Sequence, residues 1–409
     1  MCRTANSTPK NAVEEDRLSV EGVPERSITN LHTLIENLSA EKRTLAAQLL
    51  DVIPTTGRLE VPQAMRGWVE KNFGSVDAVR EQEIVRVTDR VTLEGALFNQ
   101  LRASRPIDVA DEGAPDLLRR EIEDTYGDPF CAPEKGTPAD VFGRVRGSYS
   151  TTASNVAKYD GFHGLVVFDD HDPLSFTPEK VSDYASVALG WLGEALQEDP
   201  AAKYPFLMWN CLWRAGASVV HGHLQVTAAR GAHYPKVERL RRAALEYKSA
   251  HDSDYFSDLF SVHEALGLAI PTPPASSPDV RGFVSLTPAK EKEVVLLGPS
   301  LGEPLRLLLA DVLGRYTQDL GVSSFNVAFY LPPLASTEED WSSFPVVIHV
   351  VDRGNLASRT SDMGAMELYA APVISSDPFR VAHLLSERYD RAEKNELPNV
   401  ARKGEERES

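Results

Sequence analysis

The sequence has few cysteines, a deficit of positive charge and no long apolar run, and each shortage excludes a class of protein. Only three of the 409 residues are cysteines (Cys2, Cys131 and Cys211), too few and too irregularly spaced for a disulfide framework. Apolar runs such as residues 344–348 fall far short of the roughly 20 residues that a membrane span needs. Residues 1–10 are polar and lack the apolar core of a signal peptide, so a cytoplasmic protein is expected.

The charge balance argues against a polyanionic partner. Acidic residues number 60 and basic residues 43, which gives a formal net charge of −17. Such a chain is a poor candidate for binding nucleic acid or an anionic membrane through a general basic field, although a locally basic pocket can still bind phosphates. With 42% apolar and 25% charged residues, the composition is that of an ordinary globular enzyme. We therefore expect neither nucleic acid nor a membrane as a partner.

The order of the predicted elements indicates an α+β protein made of two similar units joined by a proline-rich linker. Leucines spaced three and four residues apart between residues 27 and 73 predict a helical extension ahead of both units. The expected divisions are a disordered tail and helical extension (1–80), a first unit (81–268), the linker (269–280), a second unit (281–395) and a charged tail (396–409).

Both units combine β-like runs with long helical stretches. In the first unit, strands are predicted at 84–92, 164–168, 206–213 and 219–227. A helix is predicted from Thr177, a suitable N-cap followed by Pro178, to about Gln197. In the second unit, strands are predicted at 293–297, 325–331 and 344–351, and helices at 303–320 and 377–395.

The run His221-Gly222-His223-Leu224-Gln225 carries the strongest chemical signal. On a strand, alternation places residues 221, 223 and 225 on one face. A neutral imidazole is a competent nucleophile and can form a phosphoramidate, and the amide of Gln225 can donate to a phosphoryl oxygen. Gly216 and Ser218 precede the run, where backbone N–H groups and a hydroxyl can hold phosphate. Alternatively, the two histidines are structural or bind a metal. The added glycine, serine and glutamine favour phosphate chemistry.

This segment resembles the active site of a known family. Asn210, Gly216, Ser218 and the His221, His223 and Gln225 run are similar to the motif of the galactose-1-phosphate uridylyltransferase-like branch of the histidine-triad superfamily. Leu224 is shared with the related diadenosine tetraphosphate phosphorylases. The resemblance extends over residues 84–390. It implies two histidine-triad-like halves, each an antiparallel sheet with helices on one face, and His223 as the nucleotide-carrying residue.

The same resemblance implies further ligand-binding residues. Arg102 and Arg105 match the family's phosphate-binding arginines, and two guanidinium groups would offset the charge of a diphosphate. Asn155 matches a nucleotide-binding asparagine, and Glu367 matches a glutamate that contacts the sugar. Val373 stands where the family has a glutamine, which leaves the sugar contacts open.

The metal ligands implied by the resemblance are only partly kept. Asp128, Cys131, His171 and His221 fall near the family's zinc-binding positions, and carboxylate, thiolate and imidazole are all acceptable zinc ligands. The sequence therefore leaves open one structural zinc, with Cys131 as an ordinary buried side chain being the alternative. The family's second metal site uses several histidines in the second half. Because only His349 stands where the family has that cluster of histidines, we expect that site to be absent.

The sequence thus predicts a nucleotidyltransferase that works by double displacement, with a nucleotide or sugar-nucleotide donor and a sugar 1-phosphate as acceptor. The alternative is a phosphorylase that uses inorganic phosphate to cleave a dinucleoside polyphosphate or a sugar nucleotide. A non-catalytic nucleotide sensor on the same fold is a third reading, against which His223 and Gln225 argue. No organic cofactor is expected, and a homodimer remains open.

Overall fold

Two sheets and a set of helices packed around them form the computed structural model, which describes residues 26–104, 113–273 and 277–395. The N-terminal region contains α1 (Leu31–Glu36), α2 (Ala40–Leu49), β1 (Leu50–Arg58), α3 (Arg66–Phe73), α4 (Val76–Arg80), β2 (Glu81–Asp89) and β3 (Gly95–Phe98). The first half continues with α5 (Ala114–Asp124), α6 (Pro133–Gly136), β4 (Ser150–Ser154), β5 (Phe162–Phe168), α7 (Pro178–Glu198), β6 (Tyr204–Cys211), β7 (His223–Ala229), α8 (Pro235–His251) and α9 (Tyr255–Leu266).

The second half repeats the strand–helix pattern. Its elements are β8 (Arg281–Val284), β9 (Val294–Gly298), α10 (Glu303–Gln318), β10 (Phe325–Tyr330), β11 (Val346–Asp352), α11 (Ala365–Tyr369), β12 (Val373–Ile374) and α12 (Pro378–Asn395). Within the described ranges, no helix has the length and apolar character needed to cross a membrane.

The two halves share one continuous sheet. Its eight strands run in the order β4-β5-β7-β6-β10-β11-β9-β8, and every neighbouring pair is antiparallel. The halves meet where β6 pairs with β10, with Asn210 opposite Asn326. The predicted α+β fold with two antiparallel halves is therefore confirmed, and the halves are joined by main-chain hydrogen bonds rather than by the linker alone.

Helices α7 and α10 cover one face of this sheet. The N-cap Thr177 accepts the backbone N–H of Lys180, and α7 turns Trp191 inward until its ring lies against the backbone of Gly164 on β5. A Cβ at Gly164 would come within 2.5 Å of that ring, so the glycine is needed for this close packing. On the opposite face, Ala153, Leu165 and Val167 form a small separate cluster with Phe130.

The N-terminal region is helical as predicted, with one correction. Residues 50–58 form strand β1, which pairs antiparallel with β2 over its full length. The segment holds Pro54 and Gly57 beside β-branched residues, a composition that disfavours a helix, and pairing with β2 satisfies its backbone groups. Strands β3 and β12 complete this second sheet, in the order β1-β2-β3-β12.

Part of the predicted linker packs against the second half. Ile270 is buried and its backbone N–H donates to the carbonyl of Gly282 at 2.9 Å, while Ala269 bridges to Phe283. Residues 274–276 lie outside the described ranges, as do the predicted tail at 396–409 and the first 25 residues.

Candidate active site

The candidate nucleophile begins strand β7, on the face opposite α7. Because Met208 pairs with Gln225, extending the antiparallel register by two residues sets Asn210 opposite His223. On the other side, His163 of β5 pairs with Thr227, so His163, Gln225 and His223 share one face. The predicted strand at 219–227 starts only at His223, which leaves His221 in the connection before it.

His223 is held as a neutral imidazole with one ring nitrogen available. Its Nδ1–H donates to the carbonyl of His221 at 2.9 Å, and the ring of Phe130 packs edge-on at 5.3 Å between centroids. Burial lowers the pKa of His223 and so favours the neutral form. Its Nε2 makes no hydrogen bond within the described ranges and keeps the lone pair that a nucleophile needs.

A chain of hydrogen bonds orients Gln225, and sequence reasoning missed its key member, His163. The backbone N–H of Tyr159 donates to His163 Nδ1 at 3.0 Å, so this nitrogen is an acceptor. Burial lowers the pKa of His163, and the single proton of the neutral ring is therefore on Nε2, which lies 3.0 Å from Gln225 Oε1. The carboxamide oxygen is thereby engaged, and the NH₂ group of Gln225 remains free to donate.

Four candidate metal ligands converge beside His223, as predicted. The ligand atoms of Asp128, Cys131, His171 and His221 all lie within 4.8 Å of one another. The two Nδ1 atoms of His171 and His221 are 3.1 Å apart, and the Cys131 Sγ lies 3.3 and 3.6 Å from them. Tetrahedral zinc bond lengths imply ligand atoms about 3.3–3.8 Å apart, which is close to the spacing of these three atoms.

The protonation pattern of these residues also fits a cation. His221 Nε2–H donates to the carbonyl of Phe168 at 2.8 Å, and His171 Nε2–H donates to that of Ile122 at 3.0 Å. The Nδ1 atoms of both rings then face each other, an arrangement that a cation bound between them would stabilise. Asp128 adds a buried carboxylate oxygen, Oδ2, without a hydrogen-bond partner in the described structure. Together these groups could hold a metal ion.

Asn210 and the loop after β6 border the nucleophile. Asn210 Oδ1 accepts from Asn326 at 2.8 Å, which leaves its NH₂ group available. Gly216 and Ser218 are exposed, and Gly216 has a φ of +92° that ends a short 3₁₀ turn. Leu212 adopts a positive φ of 68°, which is strained for a leucine. Asn155 follows β4, and its Oδ1 accepts from the backbone N–H of Ala157.

Arg102 lies in the 3₁₀ turn that follows β3, and Glu367 lies in α11. Although burial alone would raise it, the pKa of Glu367 lies below its usual range because backbone N–H groups and the charges of Lys290 and Arg102 favour the carboxylate. Arg102 also borders an apolar hollow of about 350 Å³ that includes the half-exposed Trp68. Arg105 falls outside the described residues.

A cluster of cationic side chains lies between the Asn210 loop and Glu367, and no sequence motif predicted it. Arg353 forms a two-pronged ion pair with Asp362 at 2.9 and 3.0 Å and also donates to Asn326 at 2.6 Å. Lys290 and Arg214 approach the same carboxylate at 3.8 and 3.9 Å. We call Asp362, Arg214, Lys290 and Arg353 the Asp362 cluster. Arg214 and Lys290 are far from Asp362 in sequence, so only the fold brings them to it.

Comparison with solved structures agrees with this architecture. An ADP-glucose phosphorylase from Arabidopsis thaliana, solved with bound ADP-glucose, superposes with a TM-score of 0.56 at 17% identity, covering 74% of this chain and 98% of that one. A GalT-like protein from the same plant gives 0.51 at 17% identity, covering 73% and 97%. A uridylyltransferase mutant gives 0.50 at 14% identity, covering 64% and 94%.

No protein-family model matches the chain, and no curated protein matches it in sequence. At these identities the likeness concerns the fold. The chain shares the fold of the ADP-glucose phosphorylase, the GalT-like protein and the uridylyltransferase, in agreement with the resemblance that its motifs indicated.

Proposed function

We propose that this protein is a nucleotidyltransferase that carries a nucleoside monophosphate on His223. The supporting observation is that His223 offers an unprotonated Nε2 on the sheet face that it shares with the free NH₂ group of Gln225. Its neighbours of similar fold include enzymes named for phosphorolysis and uridylyl transfer. A nucleotide-binding sensor would not need a histidine poised in this way.

The reaction proceeds in two displacements. The Nε2 lone pair of His223 attacks the α-phosphorus of a nucleotide donor, an N–P bond forms, and the P–O bond to the leaving phosphate breaks. The leaving group departs as a stable phosphate anion, so no acid is needed to protonate it. A phosphate oxygen of the acceptor then attacks the same phosphorus, and the N–P electrons return to Nε2. Gln225 and Ser218 donate to the phosphoryl oxygens, with Asn210 and Gly216 beside them.

For the donor and acceptor, we propose a sugar nucleotide and a sugar 1-phosphate. Asn155, Arg102, Arg105 and Glu367 are the proposed contacts to nucleotide, phosphates and sugar. The second candidate is phosphorolysis, with inorganic phosphate as acceptor. Two observations favour it: Val373 replaces a polar residue of the sugar pocket, and the ADP-glucose phosphorylase shares this fold.

The role proposed for the metal group is structural. Asp128, Cys131, His171 and His221 would hold one zinc ion, which as a closed four-ligand site would fix the loop ahead of β7. His221 links that loop to the nucleophile, because its carbonyl accepts the Nδ1–H of His223. An ion there would stabilise the position of His223 without touching the substrate.

Intact-protein mass spectrometry tests the covalent step. After exposure to a panel of sugar nucleotides and dinucleotides, the wild-type protein should gain the mass of one nucleoside monophosphate and lose it when inorganic phosphate or a hexose 1-phosphate is added. Which acceptor discharges the enzyme separates transferase from phosphorylase. Failure of every donor to leave an adduct, with turnover intact, would overturn the double displacement.

The identity of residue 225 provides a second test. An amide does not titrate, so it cannot activate water as an imidazole can. We expect slow hydrolysis of the donor in the absence of an acceptor, parallel-line kinetics in its presence, and more hydrolysis at the expense of transfer in Gln225→His. Full turnover of the wild type with water alone would instead identify a hydrolase.

A further inference from the structure

The Asp362 cluster contains more positive charge than the protein neutralises. Three cationic groups surround one carboxylate, and side-chain exposure is 14% for Arg214, 13% for Lys290 and 16% for Arg353. In the described part of the chain, Asp362 is the only acidic partner within 4 Å of any of them. Glu367 adds a more distant negative charge near Lys290, which still leaves partly buried positive charge in excess here, although the chain as a whole carries −17.

Uncompensated charges in a partly buried place are costly, and protein structures usually pair them. Arg214 makes the shortage clear: its Nη1 donates to the carbonyl of Thr360 at 2.8 Å, but its Nε is buried and has no hydrogen-bond partner in the described structure. A guanidinium with a free N–H beside an ammonium group suits a tetrahedral dianion. The missing partner is therefore an anion.

The cluster lies close to the nucleophile on the same face of the sheet. Its contact to Asn326 reaches β10, where Asn326 pairs with Asn210, and Asn210 is set opposite His223 by register. Two strand spacings of about 4.7–4.9 Å place Asn326 roughly 10 Å from His223 at the level of the backbone. Arg214 is also only two residues from the exposed Gly216. Side chains and a phosphate can bridge this distance.

We propose that the Asp362 cluster is the subsite for the second phosphate of the reaction. It would bind the phosphate of the departing group and then that of the incoming acceptor, whether inorganic phosphate or a phosphomonoester. In a double displacement both occupy the same place in turn, since the acceptor attacks along the path by which the leaving group departs. The name of this subsite rests on the proposed function, but the binding of a phosphate dianion does not.

Binding without turnover tests the subsite. Using the His223→Ala protein, calorimetric titration should give binding of inorganic phosphate and of a hexose 1-phosphate that weakens by about 10- to 100-fold in Arg214→Gln, since hydrogen bonds to charged groups are among the strongest in proteins. Binding of a nucleoside monophosphate should change far less. Arg214→Lys should recover part of the affinity, and the surface variant Arg146→Gln should match the parent.

Each outcome decides the proposal. Lys290→Gln gives a second variant that keeps the two-pronged Arg353–Asp362 pair, should Arg214→Gln impair folding. Unchanged phosphate affinity in both folded variants, or an equal loss for nucleoside monophosphate, would overturn it. A tighter hexose 1-phosphate than inorganic phosphate identifies a phosphomonoester acceptor, and the reverse identifies phosphorolysis. If phosphate binds as expected but wild type forms no nucleotidyl adduct, the subsite stands and the proposed function fails.

Discussion

The two halves of the large sheet each place a histidine on the same face, but the pKa values of the two histidines are shifted in opposite directions. His223 is neutral because burial lowers its pKa and its Nδ1–H is given to a backbone carbonyl. His349 on β11 instead donates Nδ1–H to the carboxylate of Glu293 at 2.8 Å. Burial alone would lower the pKa of His349, but the hydrogen bond and charge of Glu293 outweigh it and raise that pKa.

This contrast fits the nucleophilic role proposed for His223 and a structural role for His349. A protonated imidazole has no lone pair and cannot attack phosphorus. The surroundings differ as well, since His349 lies in a pocket bordered by Lys236, Arg239 and residues of α9. The same arrangement of strands therefore does not fix the properties of the histidine that it carries. The hydrogen-bond partner of each imidazole sets the direction in which its pKa is shifted.

The largest expected difference concerns the nucleophile. His223→Ala should lower turnover at least about 10⁴-fold while the fold persists, because a covalent intermediate can no longer form. The matched change in the other half, His349→Ala, should leave adduct formation intact. Steady-state kinetics and intact-mass spectra of both variants check this. Detection of the nucleotidyl adduct in His223→Ala, or loss of the adduct in His349→Ala alone, would contradict this prediction.

Metal content comes next in expected size. We predict one tightly held zinc per chain at the Asp128, Cys131, His171 and His221 group and none near His349. His171→Ala should release the ion and lower the melting temperature, since a closed site wants four ligands and metal binding contributes directly to folding. Elemental analysis and thermal melts, with His383→Ala on the surface of α12 as control, measure both effects. Two metals per chain would contradict the prediction.

A smaller effect is expected from the residue that orients Gln225. His163→Phe keeps the ring that stacks on Tyr159, with centroids 4.4 Å apart, but removes the Nε2–H donor. Without it the amide can rotate, and kcat should fall by roughly 10- to 100-fold with little change in the donor KM.

A double variant shows whether His163 acts through Gln225. In a Gln225→Ala background, His163→Phe should cost almost nothing further, because the amide that it positions is gone. His163→Gln, which restores an N–H donor, should recover part of the activity. Independent, additive losses would mean that His163 contributes only to stability.

The smallest effect concerns pH and stability in the second half. A histidine whose pKa is raised on folding stabilises the protein fully below its unfolded pKa, near 6.5, and loses that contribution as pH rises through the folded value. Relative to His349→Gln, wild type should therefore lose stability as pH rises above about 6.5. Urea unfolding from pH 5.5 to 9 measures this. If the stability of the wild type relative to His349→Gln increased with pH, the stabilising role of the His349–Glu293 ion pair would be refuted.

Much of the fold was predictable because local patterns and tertiary structure agree. The helix that begins after Thr177 follows from capping and hydrophobic spacing, and helix α10 of the second half follows from hydrophobic spacing. The two antiparallel halves were implied by the family resemblance. The strand at residues 50–58 was not predictable in this way. The leucine spacing before it suggested that the helix continues, whereas long-range pairing with β2 makes the segment a strand.

The residues of the candidate site likewise fall into two groups, those indicated by the sequence and those identified only by the tertiary structure. The sequence by itself singled out His223 and Gln225, because they lie in one compact motif with recognisable chemistry, and the resemblance to a known family pointed to the four possible metal ligands. Only the tertiary structure decided that His221 leaves the strand to face Cys131, that His163 sets the amide of Gln225, and that Arg214, Lys290 and Arg353 surround Asp362. The reason is physical: charge state and hydrogen-bond direction depend on neighbours that come from distant parts of the chain.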